Sequence, residues 1–179
     1  MDINEFIEIN KDYIKCAYLI GSKACNHINN CHDKDILIIA NDELCAKKIY
    51  RQFKKYQYDL DEDLSILIRL SDTDFAKNIK FPTALYQQII YGEDTSIVDR
   101  NRVLNEDYEI AKKTLLDWYY FCKDDLKNKY WYYVLLGVYQ LMNKSIELTD
   151  YQWYEVQLAH DRNISNNAIN TIKDFLGIY

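Results

Sequence analysis

"YLIGSKACNHINNCHDKDILIIA", residues Tyr18 to Ala40, is the stretch on which the fold turns. An apolar run stops at Gly21-Ser22. Ten mostly polar residues follow, and the chain resumes at Asp33 and Asp35, separated by Lys34, before Ile36-Leu37-Ile38-Ile39. The two flanking runs are short, apolar and bounded by turn formers, so they read as strands. Two like charges beside so apolar a run repel one another and cost stability, which points to a chemical use. Residues two apart on a strand share a face, so Asp33 and Asp35 project together and Lys34 points away.

Working outward, Asp2 to Tyr13 carries Ile3, Phe6 and Ile7 at amphipathic-helix spacing, and Cys16 to Ile20 is the first strand. After Gly21-Ser22 comes a short helix or turn, then a strand over Asp35 to Ala40. A helix over Asp42 to Tyr56 follows, its apolar face made by Cys45, Ile49, Phe53 and Tyr56, and then a third strand over Leu64 to Leu70. Beyond Pro82 the pattern predicts helices only: Leu85 to Tyr91, ending at Gly92, then a long segment opened by Asn105 with Ala111, Leu115, Trp118 and Cys122 on one face. Trp131, Val134, Leu135, Val138, Leu141 and Met142 repeat at helical spacing. Thr149-Asp150-Tyr151-Gln152 is a capping box, and Ser165 precedes Ile169, Ile172, Phe175 and Leu176, with Gly177 near the end. The expectation is an α+β protein in which a small mixed β-sheet lobe, residues 1–95, is followed by a helical bundle lobe, residues 96–179.

Composition narrows the function. The chain has 179 residues and a formal charge of −6, with 12 basic against 14 acidic residues over 1–90 and 10 against 14 over 91–179. Neither half has the positive field that tight duplex binding requires. Five cysteines in no framework spacing and the lack of a basic-then-apolar N-terminal pattern predict reduced thiols and a cytoplasmic protein. No apolar run approaches the length of a membrane helix, so no membrane role is expected.

The chemistry concentrates in the opening stretch. A strand that ends in Gly21-Ser22 and opens a helical turn presents backbone N–H groups and a hydroxyl where a phosphate can be held, and Lys23 adds a charge there. Two aspartates with oxygen-only ligand character suit Mg²⁺ or Mn²⁺. A further carboxylate on an adjacent strand would complete a two-metal clamp for in-line attack on phosphorus. Asp63, beside Asp61 and Glu62 and just before Leu64-Ser65-Ile66-Leu67, is placed to supply it. Cys25, His27, Cys31 and His32 are all zinc-ligand types, but their spacing matches no zinc pattern. Lys47, Lys48, Arg51, Lys54 and Lys55 fall opposite the apolar face of their helix and read as a solvated face, with a polyanion track as the alternative. The aromatic runs Trp118–Phe121 and Tyr130–Tyr133 read as bundle core, and His160 as a packing or helix-surface residue.

Gly21-Ser22, ten intervening residues, Asp33-x-Asp35 and an acid at a third strand resemble the DNA polymerase β-type nucleotidyltransferase superfamily, over residues 14–95 in motif order. Leu85-Tyr86-Gln87-Gln88-Ile89-Ile90-Tyr91-Gly92-Glu93 is similar to the helix that closes the minimal transferase lobe. The chain departs from the family in carrying Lys34 between the aspartates and Asn26 where glycine is usual; asparagine tolerates the left-handed conformation. The resemblance implies that Gly21, Ser22 and Lys23 bind nucleotide phosphates. It implies that Asp33 and Asp35 ligate Mg²⁺ or Mn²⁺, and that Asp63 is the third ligand. It also implies transfer of a nucleoside monophosphate from an NTP to an acceptor hydroxyl, with release of pyrophosphate. The helical lobe is expected to choose the acceptor, a small molecule or a protein side chain rather than a long nucleic acid. Arg100 and Arg102, in the segment joining the lobes, are further candidate triphosphate contacts. The alternative is a nucleotide-binding or regulatory module of the same fold without turnover.

Overall fold

The structure is a computed structural model that describes residues 1–61, 63–70, 82–94 and 102–178. Its described elements run α1 (Ile3–Asn10), β1 (Ile14–Ile20), a 3₁₀ turn (Ser22–Cys25), β2 (Lys34–Ala40), α2 (Glu43–Tyr56) and β3 (Leu64–Arg69). A second 3₁₀ turn (Thr83–Leu85), β4 (Gln87–Gly92) and a π-helical turn (Arg102–Glu106) follow. The chain ends in α3 (Tyr108–Cys122), α4 (Tyr130–Asn143), α5 (Asp150–His160) and α6 (Asn166–Leu176). The architecture is α+β, a mixed sheet lobe followed by helices, as expected from the sequence.

Two compact units divide the chain: Met1–Cys25 with Asn30–Ile79 and Tyr86–Val98, and Asn26–Asn29 with Lys80–Leu85 and Asp99–Tyr179. The second unit thus takes in two short stretches that a single boundary after residue 95 assigns to the first. Within it, the His27 ring stacks on Trp153 with centroids 4.4 Å apart, and the Asn29 N–H donates to Gln157 Oε1 at 2.7 Å.

In the first unit the strand order is β3-β2-β1-β4, with β1 antiparallel to both neighbours and β2 parallel to β3. β2 lies inside the sheet, which explains its unbroken apolar sequence: Ile36 through Ala40 are all buried. One sheet face, carrying Ala17, Ile36 and Ile38, forms a core with Phe6 and Ile7 of α1 and Ile49 of α2. Each such fully buried large aliphatic side chain contributes about 1.5–3 kcal/mol. Local signals set both helix starts. Asp2 accepts the Asn4 and Glu5 N–H groups while Glu5 reaches back to the Asp2 N–H. Asp42 accepts the Cys45 N–H at 2.7 Å, a bond that holds the Asp42 carboxyl below the usual carboxylate range.

The region after Pro82 corrects the sequence reading. Gln87–Gly92 is not a helix closing the lobe but the edge strand β4. Its spacing misleads because the ladder slips: Tyr18 pairs Ile89 while the next residue back, Ala17, pairs Tyr91, so Ile90 is an extra residue and period-two alternation is lost. Gly92 ends a strand rather than a helix. Its φ is +76°, and a Cβ there would sit 2.3 Å from the Lys15 carbonyl oxygen.

The second unit holds four α-helices among the described residues. Trp131, Val134, Leu135, Val138 and Leu141 are buried, but Met142, read from the same spacing, is 49% exposed because it lies at the end of α4. Asn105 lies in the π-helical turn, and α3 begins only at Tyr108. Of the two aromatic runs, Tyr119, Trp131 and Tyr132 are core, while Tyr120 and Phe121 are exposed. The Thr149 capping box and the Ser165 cap form as expected, and Gly177 closes α6 in the left-handed conformation.

A polar cluster joins three of these helices. Glu155 of α5 is 3% exposed, and its carboxylate accepts hydrogen bonds from the Tyr139 hydroxyl of α4, the Tyr151 and Ser165 hydroxyls at 3.1 Å each, and Asn167 Nδ2 at 3.3 Å. Ser165 in turn caps α6, accepting the Ala168 N–H at 3.0 Å. Burial pushes the Glu155 carboxyl up, but the bonds from Tyr139, Asn167, Tyr151 and Ser165 outweigh it and hold the group below its usual range. A depressed folded pKa stabilises the fold at pH above the unfolded value of about 4.3, and that stabilisation is lost as pH falls through the folded pKa. We expect Glu155→Gln to lower stability by about 1–3 kcal/mol at neutral pH. In urea titrations the gap from the parent should narrow as the buffer is taken below pH of about 4.

Candidate functional site

The two halves of the opening stretch meet because β1 and β2 are an antiparallel pair. Their ladder ends with Ile20 opposite Asp35. Gly21, the next residue, turns with φ +78°, and a Cβ on it would lie 2.9 Å from Asp35 Oδ2. The hydrogen atom in place of that Cβ is what lets a half-buried carboxylate lie against the turn backbone. The Ala24 N–H donates to the Gly21 carbonyl at 3.1 Å and closes the 3₁₀ turn Ser22–Cys25. That single turn is too short to build a macrodipole, so any hold on an anion there comes from individual N–H groups and side chains.

The turn carries two more of the predicted residues. Ser22 is half-buried in the turn and Lys23 is exposed, its ammonium donating to the Cys31 carbonyl at 3.1 Å. Asn26 has φ +60°, the left-handed conformation that asparagine at this position was expected to tolerate. Asp33 is exposed one residue before β2, two positions from Asp35, and the ladder carried two steps further would set it opposite Ser22. Parallel pairing of Lys34 with Leu64 and Asp35 with Ser65 brings Asp63 to the neighbouring chain position. There its carbonyl accepts the Lys34 N–H at 2.7 Å.

Asp63 nevertheless lies in the turn that precedes β3, and its side chain is exposed. Among the described residues there is no group of three or more His, Cys, Asp or Glu side chains placed to hold a metal ion. Asp33, Asp35 and Asp63 are thus not gathered as such a group, and neither are Cys25, Cys31 and His32. Glu62 and Arg100 lie outside the described residues. Arg102 belongs to the second unit, where its Nε is 3.2 Å from Asp107 Oδ2.

Sequence reasoning missed the contribution of β4. Gln87 pairs Ile20 on the side away from Asp35, so the three share one sheet face at the end of the ladder. Gln88 Nε2 donates to the Ala24 carbonyl at 3.1 Å and ties the 3₁₀ turn to the edge strand. No local signal marks either glutamine, because both lie in the segment whose spacing imitates a helix. Comparison with protein-family models, with characterised proteins and with solved structures gives no match to this chain.

The geometry makes the turn sensitive to two substitutions. Gly21→Ala should cost about 1–2 kcal/mol for placing an L-residue in the left-handed region, and the new methyl must displace the Asp35 carboxylate. Gln88→Ala should speed amide exchange selectively at the Ser22–Cys25 turn, read by hydrogen exchange, while the core amides of β2 keep their protection.

Proposed function

We propose that this chain is a metal-dependent nucleotidyltransferase that moves a nucleoside monophosphate from an NTP to an acceptor hydroxyl. What carries this reading is the approach of Asp35 to Gly21, which joins a bare-backbone turn to a carboxylate at the end of one strand pair. In the reaction the acceptor oxygen forms a bond to the α-phosphorus. The bond from that phosphorus to the oxygen bridging the β-phosphate breaks, pyrophosphate leaves with the electron pair, and the hydroxyl proton passes to water.

Each residue has a role that its chemistry suits. Gly21 lets the Asp35 carboxylate close against the turn, the Ser22 hydroxyl donates to a phosphate oxygen, and the Lys23 ammonium adds charge. Asp33 and Asp35, two apart at the mouth of β2, would hold Mg²⁺ or Mn²⁺. Mg²⁺ is commonly held by one or two carboxylates together with substrate phosphates, and this pair fits that requirement. When bound, the cation neutralises the triphosphate and its leaving group. The protein otherwise supplies position, which is the larger part of catalysis when no covalent intermediate forms. The net charge of −6 favours an acceptor that is a small molecule or a protein side chain over a long nucleic acid.

One observation favours a second reading, in which the fold binds nucleotide without turnover: Asp33, Asp35 and Asp63 are not gathered as one group of three. The readings separate on incubation with each α-labelled NTP in Mg²⁺ or Mn²⁺, with and without cell lysate as a source of acceptor. The transferase predicts pyrophosphate release and a labelled product, both reduced at least ~100-fold in Asp33→Ala/Asp35→Ala. Nucleotide binding without pyrophosphate release would identify the non-catalytic module, and loss of both would remove the nucleotide reading altogether.

A further inference from the structure

We propose that the outer face of α2, with the neighbouring end of β3, is a docking groove for an acidic segment of a partner protein that carries an aliphatic anchor. The helix Glu43–Tyr56 contains five cations, Lys47, Lys48, Arg51, Lys54 and Lys55, against one acid, Glu43. Taking its +4 from the chain's −6 leaves −10 on all other residues, so positive charge is concentrated on this one element. Intrahelical pairing neutralises little of it. Lys47 bonds Glu43 at 2.6 Å, both side chains being well exposed, and a solvated pair of that kind is worth a few tenths of a kcal/mol. Arg51 is exposed and has no ion pair among the described residues.

The cations do not border a flat polar surface. Lys47 and Arg51, together with Glu43, line a groove of about 400 Å³ whose apolar lining is Ala46, Tyr50, Ile68 and Leu70, so its charged lining is net positive by one. Tyr50 is 51% and Leu70 41% exposed, which leaves apolar area in water beside the positive rim. Lys54 lies 5.6 Å from the Tyr50 ring centroid, which holds a cation over the groove wall. A solvated helix face explains the lysines and the arginine but not the apolar floor between them.

Charge complementarity decides the occupant. Carboxylates answer the cationic rim, and a Leu- or Ile-sized side chain answers the floor; an acidic peptide with one aliphatic anchor brings both. Single-stranded RNA would satisfy the cations and could stack a base on Tyr50, but it would leave Ala46, Ile68 and Leu70 unused.

The test is fluorescence anisotropy on the full chain with three labelled probes. They are a peptide of sequence Glu-Glu-Leu-Glu-Glu-Leu-Glu-Glu, its Leu-to-Ser counterpart, and a single-stranded RNA oligonucleotide. The leucine peptide should bind at least about fivefold tighter than the serine peptide and tighter than the RNA. Arg51→Glu/Lys54→Glu should weaken it by about tenfold or more. A second variant, Tyr50→Ser, keeps all charges and should reduce the preference for leucine over serine. Circular dichroism and the unfolding midpoint check that both variants remain folded. Equal binding of the two peptides, no effect of the charge reversal, tighter binding of RNA, or no binding of the leucine peptide at about millimolar concentration would each overturn the proposal. None of these readouts involves nucleotide, so their outcome is independent of the transferase reading.

Discussion

The antiparallel pairing of β1 with β2 is the constraint on which the first unit depends. It sets Ile20 opposite Asp35, and so it places the Gly21 turn beside a carboxylate more than ten residues away in sequence. The same ladder aligns the buried residues of both strands. A one-residue slip would send Ile36 and Ile38 to the wrong face and carry Asp35 away from Gly21. Core burial and site geometry are thus specified by one register, and the strong preference of the core for that register holds the weaker polar arrangement in place.

The sheet also shows where polar chemistry is tolerated. All of β2 from Ile36 to Ala40 is buried, and charge appears only at its first residues, where the strand leaves the core. A carboxylate deeper in the strand would face full desolvation with no partner. At the strand mouth Asp35 is only half-buried and Asp33 is exposed, so neither carries the desolvation that a position deeper in β2 would impose. The second unit solves the opposite problem. There Glu155 is buried outright, and the cost is offset by four donors from three helices, one of them the cap of α6. A carboxylate used to join helices needs every acceptor position filled, whereas one used to bind a ligand must keep some open.

Positive charge is handled by segregation. The lysines and arginine of α2 stand opposite Ile49, so the amphipathic pattern that buries the helix also gathers its cations on one side. In a chain with an acidic balance this makes α2 the element best suited to meet negative ligands, and the apolar groove beside it makes that meeting selective.

Much of the fold is legible in the linear order of residues. The strands around Gly21 and Asp35, the helix after Asp42, the Thr149 capping box and the Ser165 cap are all local patterns. Backbone propensity and the period of apolar residues fix them within a few turns of chain. What tertiary structure alone decided is each feature that depends on a partner far away in sequence. Gln87–Gly92 is a strand because β1 offers a free edge, and the extra residue Ile90 erases the alternation that would have announced it. Gln88 reaches the Ala24 carbonyl only through that pairing. Asp63 is brought beside Lys34 by the parallel ladder, yet Asp33, Asp35 and Asp63 are not gathered as a group of three. Glu155 looks like any helix-surface acid until α4 and α6 close over it. Periodicity records which side of an element is buried; it carries no record of which element does the burying, and that is settled by long-range packing.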